Sequence, residues 1–249
     1  MRQLLRSACL ALLDLLFPPH CAGCGQWGAL LCARCEAAIA FISPPVCPLC
    51  GRPERTASRC FLCRREPPPL AAIRSAALFE GPVRQAIYQL KYRGRRELAR
   101  PLGMLMAKAW PARLFEADCL IPVPLHPERE RERGFNQAHL LAEVLSVQVG
   151  LPMLPGALRR VRPTRPQVQL EAAARRENVR GAFAPGDLPL RGRRPVLVDD
   201  VCTTTATLGA CAEALRRAGV ERVWAFTLAR APWDPARPRA LPDRTPEAR

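Results

Sequence analysis

The stretch PVLVDDVCTTTATL, Pro195 to Leu208, decides how the chain is read. Its apolar run, Val196 to Val198, has the make-up of a buried strand, and it ends in two carboxylates, Asp199 and Asp200. A hydroxyl-rich turn follows, then a helical periodicity from Thr207 to Ala218 that Gly219 closes. Such a turn presents backbone N–H groups and the hydroxyls of Thr203, Thr204, Thr205 and Thr207 at a helix N-terminus, where the dipole favours a phosphate. The adjacent carboxylates can accept hydrogen bonds from vicinal sugar hydroxyls or hold a hydrated Mg2+. A sugar phosphate satisfies both halves at once. An ordinary strand-to-helix turn with a threonine cap needs neither the paired acids nor four threonines.

Elsewhere, short apolar runs alternate with helical periodicities. Ile73 to Phe79, Cys119 to Val123, Pro195 to Asp199 and Arg222 to Leu228 read as strands; Val83 to Tyr92, Arg96 to Trp110 and Phe135 to Val149 read as helices. This order predicts an α/β fold with a mostly parallel sheet flanked by helices, in which ligands bind at the carboxyl ends of the strands. The run Glu128 to Arg133 alternates in sign and reads as a charged loop ended by Gly134, with Asn136 and Gln137 in the first turn of the next helix.

Ahead of this part lies a different composition. Eight of the 12 cysteines form four Cys-x-x-Cys pairs: Cys21/Cys24, Cys32/Cys35, Cys47/Cys50 and Cys60/Cys63. Each pair can aim two thiolates at one ion, so eight ligands make two tetrahedral zinc sites. Gaps of 7, 11 and 9 residues favour joining the first pair with the second and the third with the fourth, and leave an interleaved pairing open. A disulfide framework would require a secreted or periplasmic setting. Met1 to Phe17 opposes that, because Arg6 and Asp14 interrupt its apolar run and no small-residue cleavage site follows. It is too short to span a bilayer, and its three- and four-residue spacing reads as a short amphipathic helix. A cytoplasmic, zinc-loaded protein with no membrane partner is the consistent expectation. Cys9, Cys119, Cys202 and Cys211 are dispersed and read as small buried hydrophobes. Consecutive prolines in Arg64 to Leu70 stiffen the chain, which places divisions at 1–67, 68–230 and a loose tail, 231–249.

The chain has 249 residues, 49% hydrophobic and 24% charged, which excludes a disordered, collagen-like or coiled-coil protein. Its formal charge is +16, and only Lys91 and Lys108 among 38 cations are lysines. Guanidinium groups suit phosphate, so a polyanion or a phosphorylated ligand is expected. Pro155 to Arg194 carries ten arginines against three acids, enough for a nucleic-acid groove, although 6% aromatics leaves few stacking platforms.

VLVDDVCTTTAT resembles the 5-phosphoribosyl-1-pyrophosphate (PRPP) motif of type I phosphoribosyltransferases. Three further stretches narrow the match: IPVPLHPERERERGFNQAHLLA from Ile121, YQLKYRG from Tyr88, and the pattern formed by Gln167, Leu170, Arg175 and Asn178. With the four cysteine pairs they are similar to the ComF/GntX family, a double zinc ribbon followed by a phosphoribosyltransferase-like domain. The resemblance implies that Asp199 and Asp200 meet the ribose hydroxyls, that Thr203 to Thr207 cradle the 5-phosphate, and that Mg2+ accompanies PRPP. It also implies a link to DNA uptake, with single-stranded DNA or a DNA-uptake helicase as partner. Arg129 and Arg133, on the loop after the Ile121 to Val123 strand, are candidates for the pyrophosphate half of PRPP. Two departures stand out. Thr205 occupies a position where the common pattern has glycine, so a left-handed backbone there would carry strain of about 1–3 kcal/mol and weaken PRPP binding. Thr203 stands where purine-salvage members carry an aspartate read as the base, which counts against a purine acceptor. No catalytic residue is assigned, and an active phosphoribosyltransferase with an unknown acceptor is the competing expectation.

Overall fold

The computed structural model describes residues 18–163 and 177–232. The expected N-terminal helix with Cys9, most of the tail, and Gln167, Leu170 and Arg175 lie outside the described residues.

Four parallel strands form the main sheet: β1 (Ala72–Leu78), β2 (Cys119–Pro122), β5 (Pro195–Cys202) and β6 (Trp224–Arg230), in the order β1-β6-β5-β2. A separate antiparallel pair joins β3 (Leu158–Arg160) to β4 (Phe183–Pro185). β6, buried along its whole length, is central, as the near-continuous apolar run Trp224 to Leu228 requires of a strand covered on both faces.

Helices clothe both faces. On one side lie α3 (Gly81–Tyr92), α4 (Ala99–Lys108) and α6 (Gln137–Val149). In α3, Val83, Ala86, Ile87 and Leu90 recur at helical spacing and are buried against the sheet. Asn136 caps α6 by accepting from the Ala138 N–H at 2.9 Å, and Gly150 ends it in the left-handed conformation. On the other side α7 (Ala206–Arg217) packs Leu208, Cys211, Ala212 and Leu215 with the β3–β4 pair. Cys119, Cys202 and Cys211 are buried.

Three elements differ from expectation. The charged run does not stay a loop but forms α5 (Pro127–Arg133), because Pro127 is preorganised for the first turn, Glu and Arg alternate at pairing distance, and Gly134 stops the helix at φ 77°. The expected helix from Arg96 is a 3-10 turn (Arg96–Leu98) followed by α4, since Pro101 fits only within an α-helix's first turn. β5 continues through both aspartates to Cys202, so the carboxylates sit within the ladder rather than beyond it.

The cysteine-rich segment adds α1 (Ala33–Ala37) and α2 (Phe61–Arg65), each beginning directly after a cysteine. It docks on the open edge of β1. Ile42 N–H donates to Ala76 O, Leu78 N–H to Ala40 O and Ile73 N–H to Leu49 O, at 2.7–2.9 Å. These bonds cover an edge that would otherwise invite pairing with another chain. Gly51, at φ 70°, lies so close to β1 that a Cβ would meet Ile73 O at 2.3 Å. Ala22 and Ile39 join the core beneath α3 and α4, so the cysteine-rich segment and the sheet share packing across the Arg64 to Leu70 stretch.

Candidate functional site

The carboxyl ends of β2 and β5 lie side by side, and three elements converge there. β5 carries Asp199 and Asp200, the loop Thr203 to Thr205 leads into α7, and α5 with the start of α6 follow β2.

The two aspartates are not equivalent. Successive residues of a strand face opposite sides. Asp200, 2% exposed, forms an ion pair with Lys91 of α3 and accepts a hydrogen bond from Gln137 Nε2 at 3.1 Å. Arg133 donates in turn to Gln137 Oε1, so a chain of polar groups runs from α5 to the strand. Burial would raise the Asp200 carboxyl, but the Lys91 ammonium and the hydrogen bonds outweigh it and hold Asp200 below the ordinary range. Lys91 gains in the same way: burial opposes its charge, Asp200 favours it, and its pKa rises. Asp199 behaves oppositely. Burial and then the neighbouring Asp200 charge push it well above the usual carboxylate range. It also accepts a bond from the Asp200 N–H at 2.8 Å.

Thr205, the residue before α7, is left-handed at φ 64°, the one positive-φ non-glycine residue among those described. The strain anticipated for a β-branched residue here is therefore built in. Thr205→Gly should stabilise the chain by about 1–2 kcal/mol in urea unfolding, net of glycine's greater unfolded freedom, and a loss of stability would contradict the strain. Asp199, Thr203, Thr205 and Thr207 line a small hollow at the N-terminus of α7, where the helix dipole favours an anion. Thr204 and Asp200 do not line it. Thr204 faces a larger cavity of about 890 Å³ beside it, and its Oγ1 is buried without a hydrogen-bond partner among the described residues. Arg133 is half-buried next to Asp200, whereas Arg129 is exposed on α5, near enough to oppose the charge of Arg133. Lys91 and Gln137 were given no role by sequence reasoning. The available signal was the rarity of lysine in an arginine-rich chain.

The cysteines divide as the shorter gaps favoured. The Sγ atoms of Cys21, Cys24, Cys32 and Cys35 lie within 4.8 Å of one another, and so do those of Cys47, Cys50, Cys60 and Cys63. Cys24 and Cys32 Sγ are 3.7 Å apart, as are Cys50 and Cys60, close to the edge of a tetrahedron with Zn–S bonds of about 2.3 Å. Backbone N–H groups turn toward sulfur in both sets: Gly23 and Cys32 donate to Cys21 Sγ, and Cys60 to Cys47 Sγ, at 3.3–3.4 Å. Burial alone would raise these two thiols, yet the N–H donors bring Cys21 down to about 6 and Cys47 to about 7. His20 belongs to neither cluster.

Comparison with known proteins agrees with both halves. A double zinc ribbon domain matches residues 12–67, and a phosphoribosyl transferase domain matches residues 137–248. The DNA utilization protein YhgH of Escherichia coli O157:H7 is 36% identical over 212 residues, covering 83% of this chain and 92% of that protein. The chain belongs to the ComF family. Competence protein ComFC of Bacillus subtilis, another ComF relative, is 30% identical over 211 residues, 80% of this chain and 84% of its own. Competence protein F of Haemophilus influenzae is 42% identical over 118 residues, 46% of this chain and 51% of its own. Among solved structures, a glutamine PRPP amidotransferase of B. subtilis is similar at a TM-score of 0.36 and 24% identity, over 52% of this chain and 25% of that one. Within this ComF chain, no helix of the described residues is long and apolar enough to cross a membrane.

Proposed function

We propose that this ComF-family chain binds PRPP, or a closely related phosphorylated sugar, together with Mg2+, and serves DNA uptake or DNA processing in the cytoplasm. The observation that carries the reading is the hollow at the N-terminus of α7, where Asp199 faces the hydroxyl-lined turn of Thr203, Thr205 and Thr207. The turn's N–H groups and hydroxyls meet the 5-phosphate. Asp199 accepts from a ribose hydroxyl, while Asp200, engaged by Lys91 and Gln137 on the opposite face of β5, anchors the strand end that carries Asp199. Arg133, and Arg129 beside it, meet the pyrophosphate. Mg2+ neutralises pyrophosphate oxygens when bound, and Asp199 is the carboxylate of the pair left free to face it. The names of the ComF relatives support the DNA-linked role. Single-stranded DNA binding that weakens steeply with salt would support a DNA partner, and absence of binding at low salt would remove it.

Asp199 supplies a direct test. Because its folded pKa is raised, its ionised form opposes folding at pH values above the ordinary carboxylate pKa of about 4. Asp199→Asn is therefore expected to melt above wild type at pH 7, with the advantage shrinking as the pH falls toward about 4 and gone below it. Adding PRPP with Mg2+ should raise the wild-type Tm and leave that of the variant unmoved. Equal ligand-induced shifts in the two proteins would refute the assignment.

A second reading, an active phosphoribosyltransferase, is favoured by the 890 Å³ cavity, which shares Thr203, Thr205 and Ala206 with the hollow and offers room for an acceptor. Pyrophosphate release on mixing PRPP, the protein and a cell extract would support it. PRPP binding without release would leave sensing as the function.

A further inference from the structure

Arg230 ends β6 with 1% of its surface exposed. Its Nη1 donates to Cys202 Sγ at 3.3 Å, and its buried Nη2 has no hydrogen-bond partner among the described residues. A buried guanidinium without a counter-charge is strongly destabilising. Burial opposes the charge of Arg230, and the groups that sustain it are sulfurs: Cys202, then Cys50, Cys63 and Cys60 of the second cluster. Arg230, Cys50 and Cys63 share the walls of the 890 Å³ cavity with Thr203, Thr204 and Thr205. Four thiolates around a zinc ion carry a net charge of −2, the kind of partner that no carboxylate among the described residues gives this guanidinium.

The other end of the contact is as specific. Cys202 is the last residue before the threonine loop, pairs with Arg230 in the β5–β6 register, and accepts from the Ala231 N–H at 3.0 Å. Arg230 thus shares a cavity wall with two of the ribbon's cysteines while it bonds the residue that launches the loop. The ribbon cannot drift from this contact, because Leu49 and Gly51 are seated on β1. The first cluster differs. Its neighbouring cation, Arg34, is exposed, and none of its cysteines lines the cavity.

We propose that Arg230 is a positioning residue that couples the second zinc site to the anion-binding loop, so that zinc held by Cys47, Cys50, Cys60 and Cys63 fixes Cys202 and the Thr203 to Thr205 turn. The pairing with zinc stands alone, and the coupling rests on the sugar-phosphate reading of the loop. The test uses the full chain loaded with two zinc ions, as wild type, Arg230→Met and Arg230→Lys, with release followed by the chelator 4-(2-pyridylazo)resorcinol. Arg230→Met is expected to lose one of its zinc ions at least about tenfold faster than wild type and the other at an unchanged rate, with Arg230→Lys restoring most of the retention. Wild-type rates for both ions in Arg230→Met, or equal rates in the Met and Lys variants, would overturn the pairing. For the coupling, saturating ribose 5-phosphate should slow release of that same zinc from wild type, because linkage is reciprocal. Calorimetric binding of ribose 5-phosphate with no change in zinc release would overturn it. Absence of binding would instead remove the sugar-phosphate reading and the coupling with it, while the Arg230→Met rates still judge the pairing. The wild-type measurement decides the coupling even if Arg230→Met does not fold.

Discussion

Stripping both zinc ions is expected to unfold residues 18–63 and to expose the β1 edge. Among the described residues the second cluster packs its four cysteines with Leu49 alone as apolar support. The metal therefore supplies the folding energy, about 10–16 kcal/mol per structural site at neutral pH. Because Ala40 and Ile42 bond β1 directly, their loss uncovers strand N–H and C=O groups that pair readily with another chain. Hydrogen exchange should show the Ile42 and Leu78 amides protected in the zinc-loaded protein and unprotected after chelation, with increased light scattering. Acidification should act like the chelator, since thiolates must be protonated before the metal leaves and stability is lost as the pH falls. Amides that stay protected after complete zinc removal would show that β1 packing alone holds the ribbons.

Lys91→Met should be the most damaging single substitution in the sheet domain. It leaves Asp200 as a buried carboxylate without its ion-pair partner, held by Gln137 and the neighbouring Asp199, and breaking such a pair from one side costs about 3–5 kcal/mol. The pH dependence separates this from a packing defect. In wild type the depressed Asp200 pKa contributes stability above the ordinary carboxylate pKa, and that stability is lost as the pH falls through the folded value. In the variant the unpaired Asp200 takes up a proton more readily, so the deficit seen in urea unfolding at pH 7 should narrow toward pH 4. A deficit independent of pH would mean that Lys91 matters for its methylenes and not for its charge.

What the sequence made legible was local. The apolar run from Val196, the helical spacing of Val83, Ala86, Ile87 and Leu90, and the Cys-x-x-Cys turns each report on neighbours within one element. The β-branched Thr205 in a loop that favours glycine pointed to the strain that the backbone carries. The rest depends on contacts between distant parts of the chain. Lys91 meets Asp200 across 109 positions, and Arg230 lines one cavity with Cys50 and Cys63 because β6 lies beside β1, on which that ribbon sits. The threonines looked interchangeable in sequence, yet Thr207 lines the hollow, Thr204 the larger cavity, and Thr203 and Thr205 both. Alternating charge hid α5, whose evidence was the Pro127 and Gly134 at its ends.

The central claim is that the loop at the N-terminus of α7 is a cradle for a phosphorylated sugar. Calorimetric titration of PRPP with Mg2+ into the zinc-loaded chain tests it most directly. The account predicts one PRPP per chain, with Kd in the range of about 1 µM to 1 mM usual for enzyme substrates. It also predicts loss of binding in Asp199→Asn and tighter binding in Thr205→Gly, in which the backbone can approach the phosphate more closely. No heat of binding at millimolar PRPP, or binding that both substitutions leave unchanged, would contradict it.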